Sequence, residues 1–177
     1  IKVAATGSTA TNVTTITDFN GGTATTGVDQ VSFTLAELNA MENDSAFATD
    51  VANFVEGDGS VLTTGNASLT TQLISGDGQI GAAATEVFLI GIGTYDNDAA
   101  ITTAFAAGSL TFSTGTVVDN DAVLIAYKTT GGNVNVAAAQ FNGTTGSSDT
   151  IDGVVTLAVL EGFSDMSILD ASDFLIA

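Results

Sequence analysis

The stretch Ala122–Phe141, AVLIAYKTTGGNVNVAAAQF, constrains this chain more than any other. Two apolar runs, AVLIAY (122–127) and NVNVAAAQF (133–141), flank a Gly-Gly centre. Glycine reaches positive φ without a steric penalty, so a Gly-Gly pair between two strand-length runs predicts a tight hairpin across Tyr127–Val134. Comparable runs occur at VDQVSF (28–33), SLTTQLI (68–74), TEVFLIGIG (85–93), SLTFS (109–113) and GVVTLAVL (153–160), separated by Gly, Asn and Asp. Their length and alternation predict strands, and their separators predict turns. The expected fold is therefore mainly β: an antiparallel β-sandwich or β-roll-like domain with one to three short helices.

Two stretches break the period of two. Thr34 and Glu37 form a capping-box pair ahead of LAELNAM, and Phe47, Val51, Phe54 and Val55 then fall on one helical face that ends near Gly57, which predicts one or two short helices within 35–56. AAITTAFAA (99–107) predicts a further helix that stops at Gly108, with Asp98 placed to cap its start.

The chemistry available is narrow. The chain has 177 residues, of which 20 are acidic and 2 basic, Lys2 and Lys128, for a formal charge of -18, and it contains no His, Cys, Trp or Pro. A length of this order and a hydrophobic fraction of 45% fit one domain spanning 1–177. A polyanion is repelled by phosphate backbones and by anionic lipid headgroups, so nucleic acid and direct membrane insertion are both set aside. Nucleophilic triads need His or Cys and are excluded. Two carboxylates alone can hydrolyse a glycoside, but the sequence offers few aromatic or basic groups to hold a sugar, and Lys128 belongs to no Ser–Lys motif. No enzymatic activity is expected.

What remains is oxygen chemistry. The tetrapeptide DNDA occurs twice, at Asp96–Ala99 and at Asp119–Ala122. Calcium takes six to eight oxygens in flexible geometry, and Asp-rich Gly/Asn loops supply carboxylates, amides and carbonyls together. The candidate ligands are Asp18, Asn20 and Asp29; Asp96 and Asp98; Asp119 and Asp121; and Asp149 with Asp152. The competing reading is that Asp and Asn in such loops serve turns and caps. A net charge of -18 favours compensation by a cation, and Ca2+ is the expected one.

The last third carries a wider pattern. DAVLIAYKTTGGNVNVAAAQFNG is followed by VVTLAVLEGFSDMSILDASDFLIA, with Leu160, Gly162, Leu169, Ala171, Asp173 and Phe174 in an L-x-G … L-x-A-x-D-F arrangement. Near the start, ITDFNGGTATTGVDQVSFTLAEL resembles an ITDF…D segment. Together these resemble the C-terminal region of type I-secreted, hemolysin-type calcium-binding proteins, the repeats-in-toxin superfamily. The tandem nonapeptide of that family's calcium-filled β-roll is absent from the sequence. The resemblance implies export by a type I secretion apparatus that reads an uncleaved C-terminal signal, here within 153–177 and ending in DFLIA (Asp173–Ala177), with folding outside the cell. The same five residues also suit an ordinary edge strand.

Two functions are expected from these readings. The first is an extracellular, cell-surface structural protein that polymerises with copies of itself into a surface layer or filament. Residues 1–17, IKVAATGSTATNVTTIT, then read as an assembly arm suited to lying along a neighbour's sheet edge. The second is a C-terminal calcium-binding export module of a larger secreted enzyme or adhesin, a reading with which a start at Ile1 rather than Met agrees.

Overall fold

The Gly-Gly hairpin sits at the centre of the protein. The structure, a computed structural model, describes residues 13–22, 29–41, 47, 51–63, 69–75, 79–80, 84–106, 111–112, 119–142, 150–163 and 165–177. Strands β7 (Ala122–Thr129) and β8 (Val134–Asn142) pair antiparallel with Tyr127 opposite Asn135 and Lys128 opposite Val134. The turn closes where the Thr129 amide donates to the Asn133 carbonyl at 2.8 Å, and Gly132 takes a φ of 83° that an L side chain would resist.

Outward from this hairpin the sheet is built in both directions. Strand β9 (Thr150–Leu160) pairs antiparallel with β8, and β1 (Thr14–Ile16) lies parallel to β9. On the other side β5 (Val87–Tyr95) and then β3 (Thr71–Ile74) add in parallel, giving a six-stranded order β1-β9-β8-β7-β5-β3. Two parallel pairs stand apart: β2 (Val31–Phe33) with β10 (Phe174–Ile176), and β4 (Gln79–Ile80) with β6 (Thr111–Phe112). The fold is mainly β with few short helices, as the alternation requires. Its pairing is mixed rather than antiparallel.

The cause is burial on both faces. A sheet covered on one side alternates apolar with polar, whereas parallel strands roofed on both sides are apolar throughout. All six residues of Ala122–Tyr127 are fully buried. One face, carrying Leu89, Leu124, Ala126, Val134 and Val136, is covered by Phe33, Leu38 and Phe54 from the first third and by Met166 and Phe174 from the last. The opposite face, carrying Phe88, Ile90, Val123 and Ile125, is covered by Ile101 and Phe105 of α2 (Asp98–Ala106). Helix α2 lies between β5 and β7 in sequence, the crossover that a parallel neighbour pair demands.

The capping box forms as the sequence predicts. Thr34 Oγ1 accepts from the Glu37 amide at 3.2 Å and Glu37 Oε2 accepts from the Thr34 amide at 3.1 Å, opening α1 (Leu35–Ala40). The second half of the expected helical region differs. Residues 51–55 are extended: Phe54 bridges Ala122, Val55 bridges Val61, and the Ala52 and Val55 amides donate to the Asn120 and Ala122 carbonyls. Phe47, Val51, Phe54 and Val55 are all buried, but Phe54 enters one core and Val55 the other, so the spacing reflects two cores rather than one helical face.

The two chain ends are treated differently. Of the expected arm 1–17, residues 14–16 form β1 on the protein's own sheet, and residues 1–12 lie outside those described. The C-terminal DFLIA contributes strand β10, with Phe174 opposite Val31 and Ile176 opposite Phe33. The Ala177 amide then donates to the Phe33 carbonyl at 2.9 Å. The strand reading of DFLIA describes the folded protein and is independent of its reading as an export signal.

Candidate functional site

The two DNDA sequences fold into different structures at opposite ends of β7. In the first, Asn97 rather than Asp98 caps α2: its Oδ1 accepts from the Ala100 amide at 3.0 Å. Asp98 is the first helical residue and turns onto the sheet. Its carboxylate accepts from the Tyr127 hydroxyl, the Thr156 hydroxyl and the Thr156 amide, while Asn135 Nδ2 donates to Tyr127 Oη at 2.9 Å and to Thr156 Oγ1 at 3.0 Å. Asp98 thereby binds the helix start directly to β7 and β9, and Asn135 ties β8 into the same network. Burial, and then the Asp98 carboxylate, push the Tyr127 hydroxyl far above its ordinary value, so it stays protonated and donates. Asp96 accepts from Thr130 Oγ1 at 2.6 Å beside the same end of the hairpin.

The second DNDA is a turn. Asp119 is exposed, Asn120 takes a φ of 69°, and Asp121 is buried with Oδ1 accepting from Asn53 Nδ2 at 3.3 Å. Asparagine tolerates this left-handed conformation better than most residues. Nine residues of extended chain separate Asp121 from Thr130, roughly 30 Å at about 3.3 Å per residue. The two motifs therefore do not share one metal centre.

Of the remaining candidates, Asn20 and Asp29 come together. The Asn20 amide donates to Asp29 Oδ2 at 3.1 Å and the Asp29 amide returns a bond to the Asn20 carbonyl at 2.9 Å, with Asp18 exposed nearby in sequence. Asp149 lies outside the described residues, and Asp152 is described only through its backbone in β9. Among the described residues no group of three or more carboxylates is placed to hold a metal ion. The candidate carboxylates whose hydrogen bonds are described accept from amide and hydroxyl donors of the fold itself.

A carboxylate outside the candidate set has the deepest position. Asp173 is fully buried; Oδ1 accepts from the Gly22 amide at 2.9 Å and Oδ2 from the Asp170 amide at 2.8 Å. Asp170 in turn accepts from the Ser172 amide at 2.7 Å, completing a capping box around the 3-10 turn Ala171–Asp173. Desolvation raises the Asp173 pKa in spite of these donors. The D-x-x-D spacing of Asp170 and Asp173 is the sequence signal that identifies this box, and the resemblance to an export signal obscured it.

Two surface features also escape sequence reasoning. A cleft of about 190 Å³ opens between the ends of β3, β5 and β7 and the 3-10 turn Met166–Ile168. Its floor is Gly91, where an added Cβ would meet Leu73 Cδ1 and the Ile74 carbonyl at 3.0 Å; its walls include Leu73 and Met166, and Lys128 and Asp165 line it. Lys128 is the only basic side chain among the described residues. At the opposite end of the sheet, residues 56–60 form a turn in which the Glu56 amide donates to the Ser60 carbonyl at 2.8 Å, and the Gly57 amide to the Thr85 carbonyl at 2.9 Å. Beside it Val61 is 53% exposed. Burial raises the Glu56 pKa first, and repulsion from Glu86 and Asp58 adds to it.

Comparison of the chain with protein-family models, with curated proteins and with solved structures finds no match in any of the three.

Proposed function

We propose that this chain is an extracellular structural protein that assembles with copies of itself into a surface layer or filament, exported by a type I apparatus and stabilised by calcium. The observation that carries the reading is the distribution of surface apolar groups on a strongly acidic domain. Leu73 is 44% exposed and Ile168 45% exposed at one end of the sheet, and Val61 stands at the other. Large apolar side chains exposed next to a groove mark places where another molecule docks.

The sheet edge supports the same reading. Strand β3, TQLI, closes one side of the six-stranded sheet and carries neither charge nor proline, the usual guards against edge-to-edge pairing. The polar groups, by contrast, are engaged in holding the fold: Asp98, Asp121, Asp173 and Glu86 each accept a hydrogen bond from the chain itself.

Calcium enters through charge. Twenty acidic residues facing two bases repel one another when the chain folds, and a divalent cation relieves that repulsion at the acidic surface. Export through a C-terminal signal is compatible with β10, because a segment buried in the folded protein is still legible in the unfolded chain. Sedimentation velocity of the purified chain in millimolar calcium tests the reading: particles that grow with protein concentration are expected, and a monomer at every concentration refutes self-assembly.

A further inference from the structure

Resting on that reading, the geometry points to the contact through which copies join: we infer that the Glu56–Val61 turn of one copy docks into the Leu73–Lys128 cleft of the next. The two surfaces complement each other in side-chain size and in charge. The turn presents an exposed Val61 flanked by Glu56 and Asp58, with Glu86 close by. The cleft presents apolar walls from Leu73 and Met166, a glycine floor, and Lys128. A volume of about 190 Å³ is room for one aliphatic side chain of valine or leucine size.

Charge selects the occupant. In a chain with a formal charge of -18, two copies repel over most of their surfaces. The cleft is where the described surface offers a cation, and the turn is where carboxylates crowd beside the exposed Val61 at its base, opposite Val55. Bringing Lys128 beside Glu56 and Asp58 relieves the like-charge repulsion that those carboxylates exert on one another. Asp165, at the cleft, is held by the Ser167 hydroxyl and amide, at 2.6 and 3.0 Å, and also feels the Lys128 charge; an ammonium carries three donors and can take a second carboxylate beside it.

Position determines the form of the assembly. The Val55 amide anchors the turn at the Ala122 carbonyl, at the start of β7, whereas Lys128 lies six residues on, roughly 20 Å along the strand at about 3.3 Å per residue. A surface at one end of the sheet that binds a different surface at the other end is heterologous. Repeated without closure, such a contact generates an open filament rather than a dimer.

Mixing two dead-end variants tests this directly. Val61→Lys removes the apolar side chain and keeps the cleft; Lys128→Glu removes the cation and keeps the turn. Val61 is exposed and Lys128 only part-buried at the hairpin, so both variants should keep the wild-type circular dichroism and melting temperature; Val61→Ser serves as a second turn variant. Each alone should raise the critical concentration for polymerisation about tenfold or more. Mixed at equal concentration they should form 1:1 dimers and stop, since one cleft and one turn remain per pair. Wild-type polymers together with unaltered polymerisation of either variant overturn the inference and leave self-assembly standing. A wild-type chain that never polymerises overturns self-assembly, and the inference with it.

Discussion

Replacing Asp173 by Ala probes the join between the two ends of the chain. The side chain is fully buried, so its removal leaves the part-buried Gly22 and Asp170 amides without their acceptor. An orphaned buried donor costs about 1–3 kcal/mol, or about 2–6 kcal/mol for the pair. Part of this is offset, because the fold no longer buries a carboxylate whose pKa desolvation has raised, so a net loss of about 2–4 kcal/mol is expected at neutral pH. Urea unfolding followed by circular dichroism measures it. A loss below about 0.5 kcal/mol, the range of ordinary surface substitutions, refutes the reasoning. The pH dependence supplies a second readout. Because the folded pKa lies above the ordinary 3.8, protonation of Asp173 favours the folded state; that contribution is complete below the unfolded value and is lost as pH rises through the folded one. Stability of the wild type should therefore rise as pH falls from 7 toward 4, with Glu56 acting in the same sense. Asp173→Asn, neutral at every pH, should flatten the part due to Asp173.

Tyr127→Phe removes one donor from Asp98 and one of the two acceptors of Asn135, and thermal unfolding should show a loss of about 1–2 kcal/mol. Gly153→Ala places a Cβ 2.8 Å from Phe47 Cδ1, and should destabilise by about 1–3 kcal/mol in urea unfolding because the ring is buried and must shift. Asn120→Val forces a β-branched residue to a φ of 69° and should cost about 1–2 kcal/mol, whereas Asn120→Gly should be close to neutral; equal effects of the two would show that backbone conformation is not what selects asparagine there.

Much of the strand framework was legible, and the pattern of what was not is instructive. Seven predicted strands coincide with β2, β3, β5, β6, β7, β8 and β9, because each carries enough β-branched or aromatic residues between turn formers to be recognised locally. Strands β1, β4 and β10 have two or three residues each, as β2 and β6 do, but unlike those two they lie in none of the seven longer runs that read as strands. Their formation depends on partners far along the chain, such as Val31 for Phe174. Strand direction was the main error. AVLIAY (122–127) and VFLI (87–90) are apolar throughout, and this departure from alternation, the mark of a sheet buried on both faces, is the clue to parallel neighbours. The repeated DNDA misled in another way. Identical tetrapeptides became a helix start and a turn, since Asn97 and Asn120 meet different backbones, and Asp98 found hydroxyl partners on the sheet.

The central claim is that the chain alone contains what is needed to build an ordered, calcium-stabilised polymer. Negative-stain microscopy of the purified 177-residue chain, dialysed in parallel against millimolar calcium and against EDTA, tests it most directly. Ordered filaments or sheets in calcium, formed without any second protein and dispersed or thinned in EDTA, are the predicted result. Single particles of monomer size in both dialysates would contradict it.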